Sequence, residues 1–481
     1  MKPAYRDDFI ISLSVFVVDW IAFNAALLLC YALGWYSCTS ADCPMYVHAI
    51  IFNISYLASI GIIRITLHHR WSSLATILAN VFGVSLLTLL INAAILGMAH
   101  LPVPGFLRSL TIFAAIFVLL AVVRAAERKT IKYMRFLGRN TIRAIIIGNE
   151  QTAEGVIKVM SDQWNGYRLL GLFYDQELGL PQSPQHDAAA ELPKQNTTNA
   201  TIPRLGLFDD AEQWLKDNVV DEVYVCLRRE YTRKVRSIVR LCNNKMIRVF
   251  YVPQGEIRYK RNMHLRDFGN THVLAEYNEP LMNGLARVVK RTFDICFSAL
   301  FLCTLFPILL IIVTIVTKIT MPGPVFFRQR RTGYDGKEFW CYKFRSMKVN
   351  NQADTVQATK DDDRVTRWGK ILRHTNIDEM PQFWNVFIGD MSVVGPRPHM
   401  LAHTDYYSEK ISDYMVRHYV RPGVTGWAQT HGERGQTDTV HDMERRVECD
   451  IWYIEHWSFW LDLQIIIMTI IQIFTGDDKA Y

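Results

Sequence analysis

Cysteine is scarce in this sequence, and its placement gives no indication of a metal centre. The nine cysteines are scattered along 481 residues without metal-ligand spacing. Cys38 and Cys43 are the exception, because they share a short loop predicted to face the oxidising side of a membrane; a disulfide and two free thiols are both open. A cleavable signal peptide is also lacking, since the first apolar segment is too long and no small-residue cleavage site follows it.

Charged residues are sparse in three parts of the chain. Half of all residues are hydrophobic, and they concentrate in residues 1–125, 292–319 and 457–474. This distribution predicts a membrane protein with water-facing domains, and the chain length indicates two or three domains. We predict four N-terminal spans, near residues 10–34, 45–67, 73–97 and 106–124.

The loops between these spans differ in positive charge. The loop at 35–44 has no Lys or Arg, the loop at 68–72 carries Arg70, and the fourth segment runs into the basic stretch RAAERKTIKYMRFLGRNTIR. By the positive-inside rule, both ends of the bundle face the cytoplasm. Asp19 lies within the first span, where we favour a polar contact to a neighbouring helix over a functional role.

Residues 142–252 alternate between strand and helix patterns, which predicts a small doubly wound parallel sheet. The first strand ends at Gly148, where a dinucleotide site would begin its glycine-rich turn. Glu150 stands where that turn needs its second glycine, and its side chain would obstruct and repel a pyrophosphate. We therefore predict a regulatory or oligomerisation domain on a Rossmann-like scaffold.

The apolar segment 292–319 resembles a fifth span, but its flanks argue for a different arrangement. Lys and Arg lie on both sides of it, so the positive-inside rule places both ends in the cytoplasm. Pro307 lies in the middle, where it removes a helix hydrogen bond and bends or breaks the helix. We predict a re-entrant helix with its break at Pro307. The alternative is a kinked true span, which would put the C-terminal domain outside the cell.

The last apolar stretch, 457–474, is short for a span and carries Trp457, Trp460 and Asp462. Tryptophan rings prefer the membrane interface, so we predict an interfacial helix, with a buried core helix as the alternative.

The stretch NIDEMPQFWNVFIGDMSVVGPRP, at 376–398, places two carboxylates, Asp378 and Glu379, side by side. A helix over roughly 379–388 is predicted, with Asn376 or Asp378 as its cap and Pro381 in its first turn. Asn376 and Glu379 have the spacing of a capping box, and capping alone would explain the pair.

The basic surroundings of this pair favour chemistry instead. Helix N-termini attract phosphate, and arginine forks match phosphate oxygens. A carboxylate can attack phosphorus as a nucleophile, and a neighbouring carboxylate can hold Mg²⁺, so the sequence predicts phosphoryl chemistry. The arginines concerned are Arg345, Arg364, Arg367, Arg373, Arg397 and Arg421.

Four motifs then show a resemblance to a known family. They are PGPVFFRQRRTGYDGKEFWCYKFRSM, DDDRVTRWGKILRHTNIDEMPQFWNVFIGDMSVVGPRPH, RPGVTGWAQTHGERGQTDT and RVECDIWYIEHWSFWLDL. In this order they resemble the bacterial sugar transferase domain of the large monotopic phosphoglycosyl transferases. Within that family, the resemblance is strongest to undecaprenyl-phosphate glucose phosphotransferases of the colanic-acid type. The chain departs from the family pattern at Met380, where leucine is usual, and lacks a proline between Asp363 and Arg364.

The resemblance implies three domains: a four-span α-helical bundle at 1–126, a degenerate α/β Rossmann-like domain at 140–255, and a monotopic α/β catalytic domain at 284–481 with the re-entrant helix at 292–319. It implies a multi-pass protein of the bacterial inner membrane, with a cytoplasmic catalytic domain. We also expect contacts with membrane lipids, a homo-oligomer and no nucleic-acid partner.

The implied reaction passes a sugar-1-phosphate from a UDP-sugar to undecaprenyl phosphate and releases UMP, which begins exopolysaccharide, capsule or O-antigen assembly. By similarity, Asp378 is the nucleophile and forms a phosphosugar-aspartyl intermediate, and Glu379 binds Mg²⁺. Arg397 matches the family's phosphate-contacting arginine, and Lys343 and Arg345 match its basic strand.

The sugar is not readable from residue chemistry. The overall resemblance implies glucose, with galactose and N-acetylated sugars open. Two other functions are weighed against this one. A non-enzymatic scaffold of an assembly complex has no need of the carboxylate pair beside so many arginines, and a polytopic transferase without a covalent intermediate needs more spans.

Overall fold

The fold is taken from a computed structural model. It describes residues 3–35, 45–63, 74–148, 150–174, 202–226, 232–253, 263–269, 271–348, 363–433, 435 and 439–475. The loop with Cys38 and Cys43 and the loop with Arg70 lie outside the described residues.

The N-terminal region consists of long apolar helices that pack side by side. Within the described residues, each of them is long and apolar enough to cross a membrane. Phe23 stacks on Tyr56 at 4.1 Å between ring centroids, in a core to which all four helices contribute. The helices are α1 (Pro3–Ala32), α2 (Met45–Ile62), α3 (Leu74–Met98) and α4 (Phe106–Phe136).

Asp19 of α1 forms a buried ion pair with Arg124 of α4. The two side chains are 3% and 8% exposed, so each charge is removed from water and depends on the other. The polar contact to a neighbouring helix that the sequence favours for Asp19 is therefore confirmed. Because the pair joins the first and last helices of the bundle, it also fixes their register.

The middle region is a seven-stranded sheet whose first five strands are parallel, in the order β3-β2-β1-β4-β5 of a Rossmann fold. The parallel sheet predicted for residues 142–252 is confirmed, and two antiparallel strands beyond that range, β7 and β6, extend it at one edge. The strands are β1 (Ile142–Gly148), β2 (Tyr167–Tyr174), β3 (Arg204–Leu207), β4 (Glu222–Cys226), β5 (Arg248–Tyr251), β6 (His264–Phe268) and β7 (Thr271–Ala275). The helices are α5 (Glu150–Ser161), α6 (Ala211–Asp217) and α7 (Thr232–Asn244).

Gly148 ends β1 in a conformation that a side chain would not permit. Its φ is +141°, and a Cβ there would lie 2.3 Å from the carbonyl oxygen of Cys226. The glycine that opens the dinucleotide motif in the sequence is thus required by the close approach of β1 and β4.

A single long helix, α8 (Gly284–Thr320), contains Pro307 and enters the C-terminal region. Both of its halves pack on that same region. Phe301 lies 4.3 Å from Phe383 between ring centroids, and Trp368 Nε1 donates to Thr317 Oγ1 at 3.0 Å. The side of α8 that faces away is apolar and exposed, with Ile308 59% exposed.

The rest of the C-terminal region wraps around α8. Two short sheets, an antiparallel hairpin of β8 and β9 and a parallel pair of β10 and β11, are joined by helices. The strands are β8 (Phe326–Thr332), β9 (Glu338–Phe344), β10 (Ser392–Val394) and β11 (Gly423–Thr425). The helices are α9 (Arg367–His374), α10 (Gln382–Ile388), α11 (Leu401–Lys410), α12 (Trp427–Thr430), α13 (Val440–His456) and α14 (Phe459–Thr475).

The last helix, α14, combines the two alternatives that the sequence left open. Its Asp462 is buried and accepts from Lys290 Nζ of α8 at 2.7 Å, and Ile465 is buried in the core. On the opposite side, Trp460 is 76% exposed and Ile467 is also exposed. One face is therefore a core helix, while the interfacial role stays a prediction for the other face.

Candidate active site

The two neighbouring carboxylates lie in a single 3₁₀ turn, Ile377–Glu379, between α9 and α10. Asn376 before the turn has a left-handed backbone with φ +56°, and its side chain does not cap the helix. Pro381 is the residue before α10, which begins at Gln382. The predicted capping box and the predicted helix start at 379 are therefore wrong, because Glu379 is directed at two cations instead.

Glu379 is held between Lys343 and Arg397. Lys343 Nζ lies 2.6 Å from Oε1, and the Arg397 fork donates to Oε1 at 2.5 Å and to Oε2 at 3.0 Å. Burial on its own would raise the pKa of this carboxyl, but Arg397 and Lys343 hold it well below its usual range. Glu379 is therefore ionised at every physiological pH.

Asp378 has a different environment although it is the next residue. It is 8% exposed, and burial raises its pKa to about 6, against the opposing influence of Lys343. The negative charge of Glu379 raises the pKa further, while Arg373 and Arg397 lower it. Asp378 is thus a desolvated carboxylate that ionises close to neutral pH.

The cations reach Glu379 from two separate elements. Lys343 is on β9, on the face of the hairpin that also carries the buried Phe339 and Cys341. Arg397 follows β10 in the sequence Gly395-Pro396-Arg397-Pro398, and a Cβ at Gly395 would lie 2.4 Å from the carbonyl oxygen of Arg421. That close approach between the turns after β10 and before β11 requires a glycine at position 395.

The structure brings Lys343, Arg397 and Arg373 to the carboxylate pair. Arg373, at the end of α9, donates from Nε to Ser346 Oγ at 3.0 Å and acts on Asp378 through its charge. These are three of the basic residues that the sequence singled out.

Other predicted phosphate-binding residues lie elsewhere. Arg345 follows β9 and donates to the carbonyl of Pro324 at 2.6 Å and to that of Met321, so it holds the end of α8. Arg421 donates to the carbonyl of Gly389 at 2.8 Å, at the end of α10.

Two further predicted residues flank the start of α9. Arg367 opens α9 and is exposed. The backbone carbonyl of Arg364 accepts from the amide of Lys348 at 2.9 Å, in the segment that leads to α9. Neither of these contacts connects them to Asp378 or Glu379.

Sequence reasoning missed a set of buried residues behind Arg397. Arg331 of β8 donates to the carbonyl of Pro398 at 2.6 Å, and Arg417 donates to the carbonyl of Arg397 at 3.0 Å. Arg417 also pairs with Asp450 of α13 at 2.6 Å. The alternation of side chains along β8 could have identified Arg331, because it lies on the same face of the hairpin as its buried strand partner Phe339. No local pattern identifies Arg417.

The two carboxylates can hold a metal ion only if a bound substrate supplies further ligands to it. Within the described part of the chain, no three His, Cys, Asp or Glu side chains form a cluster that could hold a metal ion. Mg²⁺ is commonly held by one or two carboxylates together with waters and substrate phosphates. Asp378 and Glu379 suit that mode, because the three hydrogen bonds to Glu379 leave one acceptor site on its Oε2.

Comparison with known proteins assigns two parts of the chain to families. A profile described as "Bacterial sugar transferase" matches residues 285–476, and one described as "CoA-binding domain" matches residues 59–253. The second match includes Gly148, which lies close to Cys226, and Glu150, which stands where a dinucleotide motif has its second glycine.

Two of the relatives match about three quarters of the chain, and a third matches a shorter part of it. A UDP-glucose:undecaprenyl-phosphate glucose-1-phosphate transferase of Escherichia coli K12 is 36% identical over 359 residues, which is 74% of this chain and 73% of the relative. One of Xanthomonas campestris is 35% identical over 383 residues, 77% of this chain and 74% of the relative. An N-acetylgalactosamine phosphotransferase of Aeromonas hydrophila is 44% identical over 190 residues, 39% of this chain and 44% of the relative.

Asp378→Asn is expected to stabilise the folded chain at neutral pH. The folded state binds the Asp378 proton more tightly than the unfolded state does, so wild-type stability falls as pH rises from 3.8 to about 6. An amide avoids the burial of a charge, which gives a gain of about 3 kcal/mol above pH 6 and none below pH 4. Thermal unfolding in detergent at pH 4 and pH 7.5 measures this difference.

The matched control is Asp405→Asn on α11, because Asp405 is exposed. It is expected to change the free energy of unfolding by less than about 0.5 kcal/mol at either pH. Equal stability of Asp378→Asn and wild type at pH 7.5 would show that Asp378 is not a desolvated acid.

Proposed function

Since this chain belongs to the bacterial sugar transferase family, we propose that it is the transferase that passes a sugar-1-phosphate from a UDP-sugar to undecaprenyl phosphate and releases UMP. The observation that carries the proposal is the arrangement of Asp378. It is a buried carboxylate beside a fixed Glu379–Arg397–Lys343 group, and such a carboxylate is suited to attack phosphorus.

The reaction has two displacements at one phosphorus atom. An ionised oxygen of Asp378 attacks the phosphorus that carries the sugar, and the bond from that phosphorus to the UMP oxygen breaks. UMP leaves, and the sugar phosphate stays bound to Asp378 as an acyl phosphate. An oxygen of undecaprenyl phosphate then attacks the same phosphorus, which frees the carboxylate and yields the lipid-linked diphosphosugar.

The environment of the two carboxylates supports Asp378 rather than Glu379 as the nucleophile. Both oxygens of Glu379 face Arg397 or Lys343, which stabilise its charge and lower its nucleophilicity. Asp378 is instead raised in energy as an anion by burial, so an attack that disperses its charge is favoured.

Arg397 and Lys343 have a second role in this scheme. Each carries a positive charge to within reach of the same carboxylate turn, where the phosphates of the substrate arrive. The planar fork of Arg397 matches two phosphate oxygens. Both cations therefore stabilise the charge that develops on the equatorial oxygens of the transferred phosphoryl group.

We propose Mg²⁺ as the metal, which Glu379 would hold. When bound, it would supply positive charge that offsets the charge of the diphosphate. The protein keeps Glu379 ionised for this purpose, through the ion pairs with Arg397 and Lys343.

For the sugar, we propose glucose. The two glucose-1-phosphate transferases named above match over about three quarters of the chain, at 74% and 77%. The relative named for N-acetylgalactosamine matches over only 39% of it. Assays of UMP release with UDP-glucose, UDP-galactose and their N-acetylated counterparts, with undecaprenyl phosphate present, distinguish these sugars.

We propose that α8 enters the cytoplasmic leaflet of the bacterial inner membrane and returns at Pro307. Packing supports this topology, because Phe301 before the proline lies against Phe383, and Thr317 after the proline accepts from Trp368 of the same domain. A straight crossing would separate one of these contacts from the other. Re-entry instead holds the catalytic domain on the side where UDP-sugars are made, at the depth of the lipid phosphate.

Asp378→Asn is expected to lower UMP release more than about a thousandfold, because an amide is not a nucleophile. Wild-type kcat/KM is expected to fall as pH decreases through about 6, since attack needs the ionised carboxylate and its pKa is about 6. UMP release by the purified protein measures both. Asp405→Asn is the control; a variant at position 378 within a few-fold of wild type would remove Asp378 from the mechanism.

Glu379→Gln is expected to raise the Mg²⁺ concentration for half-maximal rate about tenfold and to lower the maximal rate, because one charged oxygen ligand is lost. Titration of UMP release with MgCl₂ measures the change. If the Mg²⁺ dependence is the same as in wild type, Glu379 serves only to orient Lys343 and Arg397.

Pro307→Leu is expected to straighten α8, since it restores a helix hydrogen bond and removes the ring clash. The helix of 37 residues is then long enough to span the bilayer, and part of the population inverts its C-terminal domain. A cysteine introduced at the exposed Lys370 of α9, in a cysteine-free background, reports the side by labelling with an impermeant maleimide. If the cysteine at position 370 is labelled in intact cells in the protein that keeps Pro307, the re-entrant arrangement is wrong.

A further inference from the structure

Arg417 is the most deeply buried arginine of the C-terminal region and makes no contact with the carboxylate pair. It lies in the 3₁₀ segment Tyr414–Tyr419 and is 2% exposed. One nitrogen, Nη2, donates both to Asp450 Oδ2 at 2.6 Å and to the backbone carbonyl of Arg397 at 3.0 Å. Arg417 therefore connects Asp450 in the core of the domain to Arg397, which donates to Glu379.

The other side of the guanidinium is directed at His399, two residues beyond Arg397. Arg417 Nη1 lies 3.0 Å from His399 Nε2, and Tyr414 Oη lies 2.7 Å from His399 Nδ1. Burial and the charge of Arg417 hold the pKa of His399 well below its usual range, so this imidazole stays neutral. Arg417 thus contacts the chain at 397 and at 399 and fixes the backbone between them.

The Arg397 side chain depends on that backbone. Its fork meets Glu379 at 2.5 and 3.0 Å, and a shift of the main chain by a fraction of this distance breaks one of the two bonds. Arg331 holds the next carbonyl, that of Pro398, at 2.6 Å. Two guanidinium groups therefore support consecutive carbonyls, and Arg417 belongs to the segment Tyr414–Tyr419, which shares an apolar cluster with Met246 of the middle domain.

The segment Tyr414–Tyr419 is where the middle domain packs on the C-terminal region. Arg248 of β5 lies over the ring of Tyr419, 5.2 Å from its centroid, while its fork pairs with Glu279 at 2.9 and 2.8 Å. Asn243 of α7 donates to Asp413 at 3.3 Å, just before the segment. Met246 and Tyr277 share one apolar cluster with Tyr414, Val416 and Tyr419.

We infer that Arg417 is a positioning residue for Arg397, and that the docked middle domain holds Arg417 in place through the segment Tyr414–Tyr419. The series of contacts runs from Arg248 to Tyr419, two positions back along the chain to Arg417, and on to Arg397 and Glu379. A change in how the middle domain docks then alters the catalytic arginine without any ligand near Asp378. The inference rests on the proposed function for its kinetic part only.

The first variant is Arg417→Lys, which keeps a positive charge opposite Asp450 and avoids an unpaired buried carboxylate. A lysine has one nitrogen and a shorter reach, so it loses the Nη1 contact with His399 and with it one of the two points at which Arg417 holds this backbone. We expect kcat for UMP release to fall about tenfold to a hundredfold, while KM for the UDP-sugar changes less than about threefold. A purely structural role would reduce the amount of folded protein and leave the kcat of the folded fraction unchanged.

The second variant, Arg248→Met with Glu279→Gln, removes the docking pair together and lies outside the catalytic elements. Its matched control is Arg143→Met with Asp221→Asn, since Arg143 and Asp221 form a similar bidentate pair within the same sheet, at 3.0 and 3.1 Å. We expect the docking variant to lower kcat several-fold and the control to leave it unchanged.

Hydrogen exchange gives a readout that needs no activity. In the full-length protein, peptides covering 392–400 are expected to exchange several-fold faster in Arg417→Lys and in the docking variant than in wild type or the control. Wild-type exchange in both variants would overturn the inference. If wild type releases no UMP from any UDP-sugar, the proposed function is wrong. The hydrogen-exchange measurement then still tests whether Arg417 positions Arg397.

Discussion

The ion pairs that Glu379 makes with Lys343 and Arg397 constrain the whole C-terminal region. A buried carboxylate is costly unless its partners are held at hydrogen-bond distance, and these two partners come from elements far apart in sequence. The β8–β9 hairpin has to present Lys343, and the turn after β10 has to present Arg397. The turn itself brings more buried charge, because Arg417 and Asp450 are needed to hold its backbone. One polar contact at the site is thus supported by successive layers of paired charge.

The same strand that precedes Arg397 is tied to the apolar helix α8. Asp294 accepts from the hydroxyl of Ser392 at 2.9 Å and from the amide of Val393 at 3.0 Å, and Lys290 donates to the carbonyl of Val394 at 3.0 Å. Every residue of β10 therefore has a polar contact with α8. Two charges at one end of an otherwise apolar helix would be unfavourable alone, but here they hydrogen-bond and pair within the domain. As a result the site has a fixed position relative to the apolar helix α8.

How much the sequence reveals differs from residue to residue. Asp378, Glu379, Lys343 and Arg397 carry the family resemblance, and the structure brings all four together. Arg345 has the same strand parity as Lys343, but β9 ends at Phe344, so the chain turns away and its guanidinium reaches the end of α8. Parity applies only as far as the strand continues.

The remaining differences come from long-range contacts that local spacing does not encode. The capping box fails because Lys343 is 36 residues from Glu379 in sequence and still outcompetes a local backbone amide. The parallel sheet is recognised from the alternation of strand and helix, whereas β6 and β7 follow one another with no helix between them, beyond the segment that shows this alternation. Arg417 and Arg248 give no local signal, since their partners are the carbonyl of Arg397 and the ring of Tyr419.

The contrast between Asp378 and Glu379 shows how a single turn can give two adjacent carboxylates different properties. Both are 8% exposed, so burial alone does not separate them. What separates them is direction: the turn points Glu379 at two cations and leaves Asp378 the weaker influence of Lys343 and Arg373. Groups whose pKa values are pushed apart in this way commonly divide the work of a site between them. The fixed charge of Glu379 raises the energy of an ionised Asp378. Under the proposed function, the cations that hold Glu379 are also the ones that an incoming phosphate meets, so an anionic substrate competes with Glu379 for Arg397 and Lys343.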